Sequence, residues 1–502
     1  MYFGDCYCTP GTYSYWACNP VSHEILAKTR KGNKKIEWLR TFYIWIGALA
    51  VLGGTWAFFL PIAINSGFNK DDDGPVLRQL LIYTVGGILG VITLGETHRK
   101  NNLEKDKNDQ DHTRQVHAER RSRYTKAIEH LFNENISIRL GGVYTLAGLA
   151  DEWLTDEKTL PTEKERRKET QNIINNLCAY IRSPFPLAEQ AEQLDKPYAK
   201  DLQNDFDGDI ERFDADKRAF TQEKAALEEE CQVRQSIIKE ICERLQEFDE
   251  PGPWSSFDYD FSNALFFYDT DFRNSYFDAL SKFTGAKFTK KVGLLGTNFT
   301  ERAPFSGATF AEGTKFIEAN FTERAPFSGA TFNQGALFSY ATFEQDADFS
   351  GATFTQQFAN FEKATFEQDA DFSGATFIQG ALFSEATFNQ GANFSKATFK
   401  QNADRREADF SGATFNQGAN FSKAIFWTKP IFNDEPYTAR FSNKVKLKSY
   451  NFQVSHSSPY KIETEKHRSP DGTITTIPKG CIVFDSKTGE EVPHTPAPNG
   501  SV

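Results

Sequence analysis

The feature that most constrains this chain is a beat of phenylalanines that fits neither a helix nor a plain strand. The segment FTERAPFSGATF at residues 299–310 recurs letter for letter at 321–332, 22 residues on. From position 261 phenylalanines fall at alternating steps of five and six: 261, 266, 272, 277, 283 and 288, then Leu294, then 299, 305 and 310, and so on to 354. After one extra residue near Phe358 the beat resumes from 361 to 399 and closes at 410, 415, 421, 426 and 432. Of the 47 phenylalanines, 33 lie between Phe257 and Phe432, so the aromatic load belongs to one region. A period of 3.6 cannot hold all of these rings on one face. A four-sided coil can, with sides of five and six residues alternating to give a 22-residue turn. Each side then directs one Phe inward together with the Ala two residues before it, as on a strand. This pairs Ala308 with Phe310, Ala330 with Phe332, Ala352 with Phe354 and Ala375 with Phe377, and it places Phe399 and Phe415 in the same core. The intervening Thr, Asp or Asn points outward, and Ser-Gly, Ser-Lys or Asn-Gln-Gly turns the corner. Eight coils from 261 to 432, at about 4.8 Å each, make a rod roughly 38 Å long.

Segments such as ADFSGATF and ANFSKATF resemble the pentapeptide-repeat family, and the resemblance covers about 175 residues. It implies a right-handed quadrilateral β-helix, with the central Phe and the Ala two before it in the family's two inward positions. The chain departs from the family's pattern by preferring Phe to Leu and by inserting a sixth residue in alternate repeats. The upstream stretch RYTKAIEHL…SIRLGGVYTLAGLA is similar to the helical segment that precedes such repeats in bacterial membrane-anchored relatives.

The N-terminal part reads as a transmembrane helical hairpin. Thr41–Ile64 and Gln79–Gly95 carry no charge. The first reaches about 36 Å as a helix, and the second is at the short limit for crossing about 30 Å of hydrocarbon. Spans are therefore expected at 41–64 and 78–96. Lys28, Arg30, Lys31, Lys34, Lys35 and Arg40 precede the first span, and Arg99, Lys100, Lys105 and Lys107 follow the second. The Lys/Arg excess marks cytoplasmic flanks, so both termini are expected in the cytoplasm of a bacterial cell with the chain in its inner membrane.

The whole expectation is a multi-domain α plus β chain: a cytoplasmic arm (1–36), a transmembrane hairpin (37–97), a helical or coiled region (98–252), the β-helix (253–432), and a C-terminal cap hairpin with a tail expected to be disordered (433–502). In the middle region, apolar residues three and four apart (Tyr124, Ile128, Leu131; Leu140, Val143, Leu146, Leu149) give helical periodicity, and Gly141 and Gly142 permit close helix contact. Residues 186–250 are expected to form a helical hairpin or irregular coiled coil ended by Pro251 and Pro253. DGTITTIPKGCIVFDS suggests a hairpin turning at Asp-Gly.

Chemistry-bearing motifs are sparse. There is no phosphate-binding GxxxxGK, no HExxH, no GxSxG and no Cys-x-x-Cys. Seven scattered cysteines do not read as a disulfide framework. Cys6, Cys8, Cys18 and His23 hold four donors without a repeated ligand spacing, so no metal or cofactor is expected. Arg405, in FKQNADRREADF, stands on a beat where Phe is due, with Ala403 two before it. It either bulges outward or places a guanidinium in the core, which is costly unless paired. Glu301 and Arg302 recur as Glu323 and Arg324, and with Arg405 they are the candidate interaction surface. Pro304 and Pro326 occupy matching outward positions, each removing one ladder donor.

Three functions compete on this reading. The first is a membrane-anchored, non-enzymatic scaffold that presents the rod to a protein partner still unknown, with the lipid bilayer as a second contact and homo-oligomerisation possible in principle. The second is a DNA-mimicking topoisomerase (gyrase) binder. It would need a strongly acidic rod, whereas residues 258–429 hold 20 Asp/Glu and 15 Lys/Arg, and the net charge of −11 argues against nucleic-acid binding. The third is an enzyme with an unrecognised site in residues 98–252.

Overall fold

The computed structural model describes residues 44–45, 47–48, 51–53, 55–56, 59, 74–195, 210–248, 250–400, 407–444 and 450–494. The chain divides into two compact units, 1–114 and 115–502.

Among the described residues no helix is long and apolar enough to cross a membrane. The expected span at 41–64 lies mostly outside the described residues. The expected span at 78–96 is not a separate element: it forms the first part of α1, a continuous helix over Gly74–Leu131. Residues 96–131 contain neither Gly nor Pro and are rich in Glu, Lys, Arg and Gln, so nothing in the sequence stops the helix at the apolar-to-charged boundary.

In the second unit, the end of α1 is followed by α2 (Ile136–Thr155), α3 (Glu163–Arg182), a short 3-10 turn (Pro186–Gln190) and α4 (Ile210–Leu245). Asn135 caps α2 by accepting from the Ser137 N–H, and Thr162 caps α3 by accepting from the Glu165 N–H. Leu146, Leu149, Ile173, Ile174, Leu177, Ile181, Val233, Ile237, Ile241 and Leu245 are all fully buried and form one core. Gly142 is required at the α1–α2 contact, because a Cβ there would lie 2.8 Å from the Ala127 carbonyl oxygen; Gly141 meets nothing. Of the helical hairpin or irregular coiled coil expected over 186–250, Ile210–Leu245 forms one helix, and residues 196–209 lie outside the described residues.

The repeat region forms a parallel β-solenoid of about eight turns. Its faces are numbered here in chain order. Face 1 runs from Tyr259–Asp260 to Tyr450–Asn451, face 2 from Leu265–Phe266 to Ile425–Phe426, face 3 from Thr270–Asp271 to Ala408–Asp409, and face 4 from Tyr276–Phe277 to Ile482–Phe484. Register follows the repeat: Phe310 pairs Phe332, which pairs Phe354, then Phe377, Phe399 and Phe426.

The interior explains the preference for Phe. Within each column the rings lie parallel, with Phe310–Phe332 centroids 4.8 Å apart and Phe332–Phe354, Phe354–Phe377 and Phe377–Phe399 each 4.9 Å apart. Strand spacing sets this repeat, and it suits offset-stacked rings. Opposite columns meet edge to face across the interior, as Phe327 on face 1 and Phe338 on face 3 do at 5.5 Å and 86°. Ala308, Ala330, Ala352 and Ala375 are fully buried, as are Phe310, Phe377, Phe399 and Phe415, while Phe332 and Phe354 are 1% exposed. Corners adopt left-handed backbone, which Gly tolerates at 307, 329, 351 and 374, and which Lys396 and Lys423 adopt at the equivalent corners.

Two irregularities are absorbed without loss of stacking. The extra residue near Phe358 makes one turn 23 residues, and Phe338 still stacks on Phe361 at 4.9 Å. Beyond Phe399 a turn lengthens to 27 residues: Phe383 stacks on Phe410 at 5.1 Å and Phe388 on Phe415 at 5.0 Å.

The stack also continues past the expected end at 432. Phe441 stacks on Phe415 at 4.9 Å, and Arg440–Ser442 and Ile482–Phe484 add two rungs to face 4. An antiparallel hairpin joins Thr464–Arg468 to Ile474–Pro478 and turns through Asp471-Gly472.

The helices close the first coil. Gln171 donates Nε2–H to the Asp258 carbonyl at 2.8 Å and accepts the Asp258 N–H at 3.0 Å, in place of a preceding rung. Trp254 is fully buried, donates to Asp151 Oδ1 at 2.9 Å, and lies under the Arg244 guanidinium. Arg182 pairs with Asp260, and Arg167 donates to Ser256 Oγ at 2.7 Å.

Candidate interaction surface

The twin ERAPF segments lead into face 1. Glu301, Arg302, Glu323 and Arg324 are all exposed. Ala303 and Ala325 direct their methyls inward beside them and are 1% exposed. Pro304 lacks an N–H, and face 1 is accordingly split into a two-stranded and a six-stranded sheet on either side of it. Continuity survives through carbonyls, which a proline retains: Phe283 N–H donates to the Pro304 oxygen and Phe305 N–H to the Pro326 oxygen, both at 2.8 Å. The outward position of Pro326 does not leave it in solvent, for it is buried against its neighbours, while Pro304 is half-buried.

The like charges of the twin repeats find a diagonal partner on one side. Arg324 Nη2 lies 3.4 Å from Asp348 Oδ2 one rung on. Asp348 also accepts from the Ser350 N–H at 3.0 Å and from its hydroxyl at 2.6 Å. Sequence reasoning passed over the acidic partners of this face. Their signal is a second pair of near-copies, EQDADF at 344–349 and 367–372, followed by NQGANF at 389–394 and 416–421. These bring Asp346, Asp348, Asp369 and Asp371 into register, since Ala325 pairs Ala347, which pairs Ala370. Further along, Asn393 donates Nδ2–H to Asp371 at 3.0 Å and Asn420 to Asn393 at 3.1 Å. A shallow groove of about 530 Å³ follows this part of the face, lined by these carboxylates, Arg324 and the bare backbone at Gly391 and Gly418.

Arg405 lies outside the described residues, and the frame position expected for it belongs to Phe410, whose ring completes the Phe383 column. The turn from Phe383 to Phe410 is five residues longer than the 22-residue repeat. Adding a few residues to a loop costs little in closure entropy, whereas an unpaired guanidinium in an aromatic core costs several kcal/mol. Cys6, Cys8, Cys18 and His23 also lie outside the described residues. Among the described residues no group of three His, Cys, Asp or Glu is placed to hold a metal ion.

The helical region places its buried charges in structural roles. Glu230 is 5% exposed and Arg234 1%. Glu230 accepts from Arg139 at 2.6 Å, Arg234 Nε at 2.7 Å and the Tyr180 hydroxyl at 3.1 Å. Arg234 also donates to the Ile181 and Ser183 carbonyls. Burial, and then the nearby Glu230, push the Tyr180 phenol up to about 12, so it stays a neutral donor. Burial likewise pushes the Cys178 and Cys242 thiols up to about 12 and Cys231 to about 11. A thiolate is the reactive form, so these side chains act as packing groups at neutral pH. Cys242 donates to the Asp271 carbonyl at 3.2 Å, at the edge of a second cleft of about 530 Å³ between α4 and the first turns of face 3.

Comparison with known families agrees with this geometry. The family described as pentapeptide repeats (9 copies) matches over residues 294–342, 316–365 and 361–404. No curated protein and no solved structure matches the chain. The matched stretches fall inside the stacked-phenylalanine solenoid, and the repeat region of this chain belongs to the pentapeptide-repeat family.

Proposed function

We propose that this chain is a non-enzymatic protein–protein interaction module whose rod is presented to a partner from a lipid bilayer. The observation that carries the reading is the rod's surface. Successive residues alternate between a sealed Phe/Ala interior and short polar side chains that repeat in register along each face. Such a surface offers long, flat, regularly spaced contacts, which is how repeat solenoids engage other proteins.

The membrane attachment is supported by apolar residues turned outward. Trp45, Val51, Leu52 and Trp56 in the first apolar segment, and Ile82, Tyr83, Val91 and Leu94 in the second, are each 60% exposed or more. Water is a poor environment for so continuous a set, and lipid is a good one. Gly53 faces Val85, where an added Cβ would lie 3.8 Å from the Val85 methyl, so the two segments approach one another at a small residue. The Lys/Arg flanks favour a bacterial inner-membrane setting with both ends cytoplasmic.

Two measurements test this. Carbonate-washed membranes should retain the protein, and its appearance in the wash would remove the anchor. Gentle solubilisation and affinity isolation should recover a stoichiometric protein partner. A chain that travels alone at every salt concentration would overturn the module reading.

A further inference from the structure

Face 1 carries its charges in an order that is complementary to itself when reversed. The outward column just ahead of the inward alanines reads Arg302, Arg324, Asp346, Asp369 in consecutive rungs, held in register by Ala325 N–H donating to the Asp346 carbonyl and Ala347 N–H to that of Asp369. All four residues are exposed. Arg302, Asp346 and Asp369 make no salt bridge with another described residue, and Arg324 reaches only Asp348 at 3.4 Å. The adjoining columns are Pro304, Pro326, Asp348, Asp371 on one side and Glu301, Glu323, Gln345, Gln368 on the other.

We propose that face 1 is a homotypic docking surface whose occupant is face 1 of a second copy of this chain, packed antiparallel. The proposal rests on the reading of the rod as an interaction module and names its partner. A two-fold axis lying across the rod between the rungs of Arg324 and Asp346 brings each column against itself in reverse, which is the self-complementarity an isologous contact requires. Arg324 then faces Asp346 of the second copy and Arg302 faces its Asp369, giving four ion pairs in all. Pro326 and Pro304 meet Asp348 and Asp371. Glu323 and Glu301 meet the neutral Gln345 and Gln368. No like charges oppose one another in this register. A slip of one rung sets Asp346 against its own symmetry mate and leaves Arg302 opposite Gly391, so the pattern selects one alignment. The low relief at Pro304, Pro326, Gly391 and Gly418 lets the two faces approach.

Six rungs of one face, at about 4.8 Å each, give a contact of roughly 300 Å² per copy, well under the ~800 Å² per partner of stable complexes. The association is therefore weak, governed by its ion pairs and sensitive to salt. The test uses the full-length protein in mild detergent, followed by sedimentation velocity and native mass spectrometry. The wild type should dimerise at low ionic strength and weaken about tenfold or more at high salt, as four exposed ion pairs imply. The variants R302D/R324D and D346R/D369R each present a column of one sign and should be monomeric alone. Mixed one to one, they should restore dimers that contain one of each, a result that misfolding cannot imitate. Variants that dimerise like the wild type, a mixture that stays monomeric, or a wild type monomeric at low salt would each overturn the proposal. Those failures leave the module reading standing, because a different protein recovered by affinity isolation supports it independently.

Discussion

The solenoid and the helices that close its first coil bury similar chemistry by opposite means. In the rod most rings have nearly the same surroundings: a parallel neighbour about 5 Å above and below and an edge-on neighbour in the opposite column. No charged side chain is buried in it among the described residues. The helical region has no repeat, and its closure depends on particular charges. Glu230 gathers Arg139, Arg234 and Tyr180, while Asp151 gathers Arg244 and Trp254. A periodic core distributes stability along the rod and tolerates a lengthened turn. An aperiodic core concentrates stability in few groups. Stability in the rod should therefore behave as a sum over neighbouring turns, and in the helical cap as a single cooperative unit.

The largest effect should come from breaking the cap's charge network. Glu230→Ala leaves Arg234 and Arg139 buried without their carboxylate and should cost about 3–5 kcal/mol. Hydrogen exchange should then accelerate throughout α2, α3 and α4 together. Protection that drops only near residue 230 would contradict the cooperative view. Phe349→Ala should cost a comparable amount or somewhat less, about 3–5 kcal/mol for a large ring lost from a close-packed site. Here exchange should rise in the turns holding Phe327 and Phe372, its two stacking partners, and remain slow near Phe277. Uniform loss along the rod would dissolve the distinction.

Acid should separate the regions further. Burial alone would raise Asp260, but the hydrogen bonds from Ser262 and the Arg182 guanidinium outweigh it and hold the carboxyl below the usual range. Asp156 is likewise half-buried, and is held well below that range by Thr159 and Arg120 despite that burial. Each folded-state pKa lies under the unfolded value of about 3.9, so their stabilisation is complete above that pH and is lost as pH falls through the folded values. Proteolytic nicking around residues 156–182 should rise below about pH 4, while the repeats stay resistant. Early cleavage of the repeats would reverse the comparison.

Two smaller changes probe the rod's surface. Gly329 has a φ of 63°, and a Cβ there meets nothing within 4 Å, so Gly329→Ala should cost about 1 kcal/mol through backbone strain alone. The reciprocal Lys396→Gly, at a φ of 60°, should leave stability unchanged or slightly improved. Thermal melts of the pair decide this. Smallest of all, Arg324→Ala removes a largely exposed pair with Asp348 and should shift stability by about 1 kcal/mol or less, although it removes two of the proposed intermolecular contacts.

How much of this was legible follows the same division. The rod could be read residue by residue, because its repeat exceeds any helical or strand period and only a four-sided coil places Phe310, Phe332, Phe354 and Phe377 on one line. The helical region was read as periodic segments, with a helical hairpin or irregular coiled coil over 186–250; Ile210–Leu245 is a single helix, since sparse apolar positions do not say where a chain turns. The candidate surface was half visible. The twin Glu-Arg pairs stood out as copies, whereas Asp346 and Asp369 gained meaning only when the ladder set them in line with Arg324.

By itself the sequence determined the solenoid, its turn length and its inward residues, because a 22-residue repeat of Phe and Ala restates one local environment many times over. Tertiary structure alone decided the rest. It set Phe410, rather than the residue 22 positions on, over Phe383 in its column. It carried α1 unbroken through the boundary expected near residue 97. It turned Gln171 into a substitute strand for the first coil, and it lined up two arginines with two aspartates along face 1. Each of these depends on groups far apart in sequence, and their spacing becomes fixed only when the chain has folded.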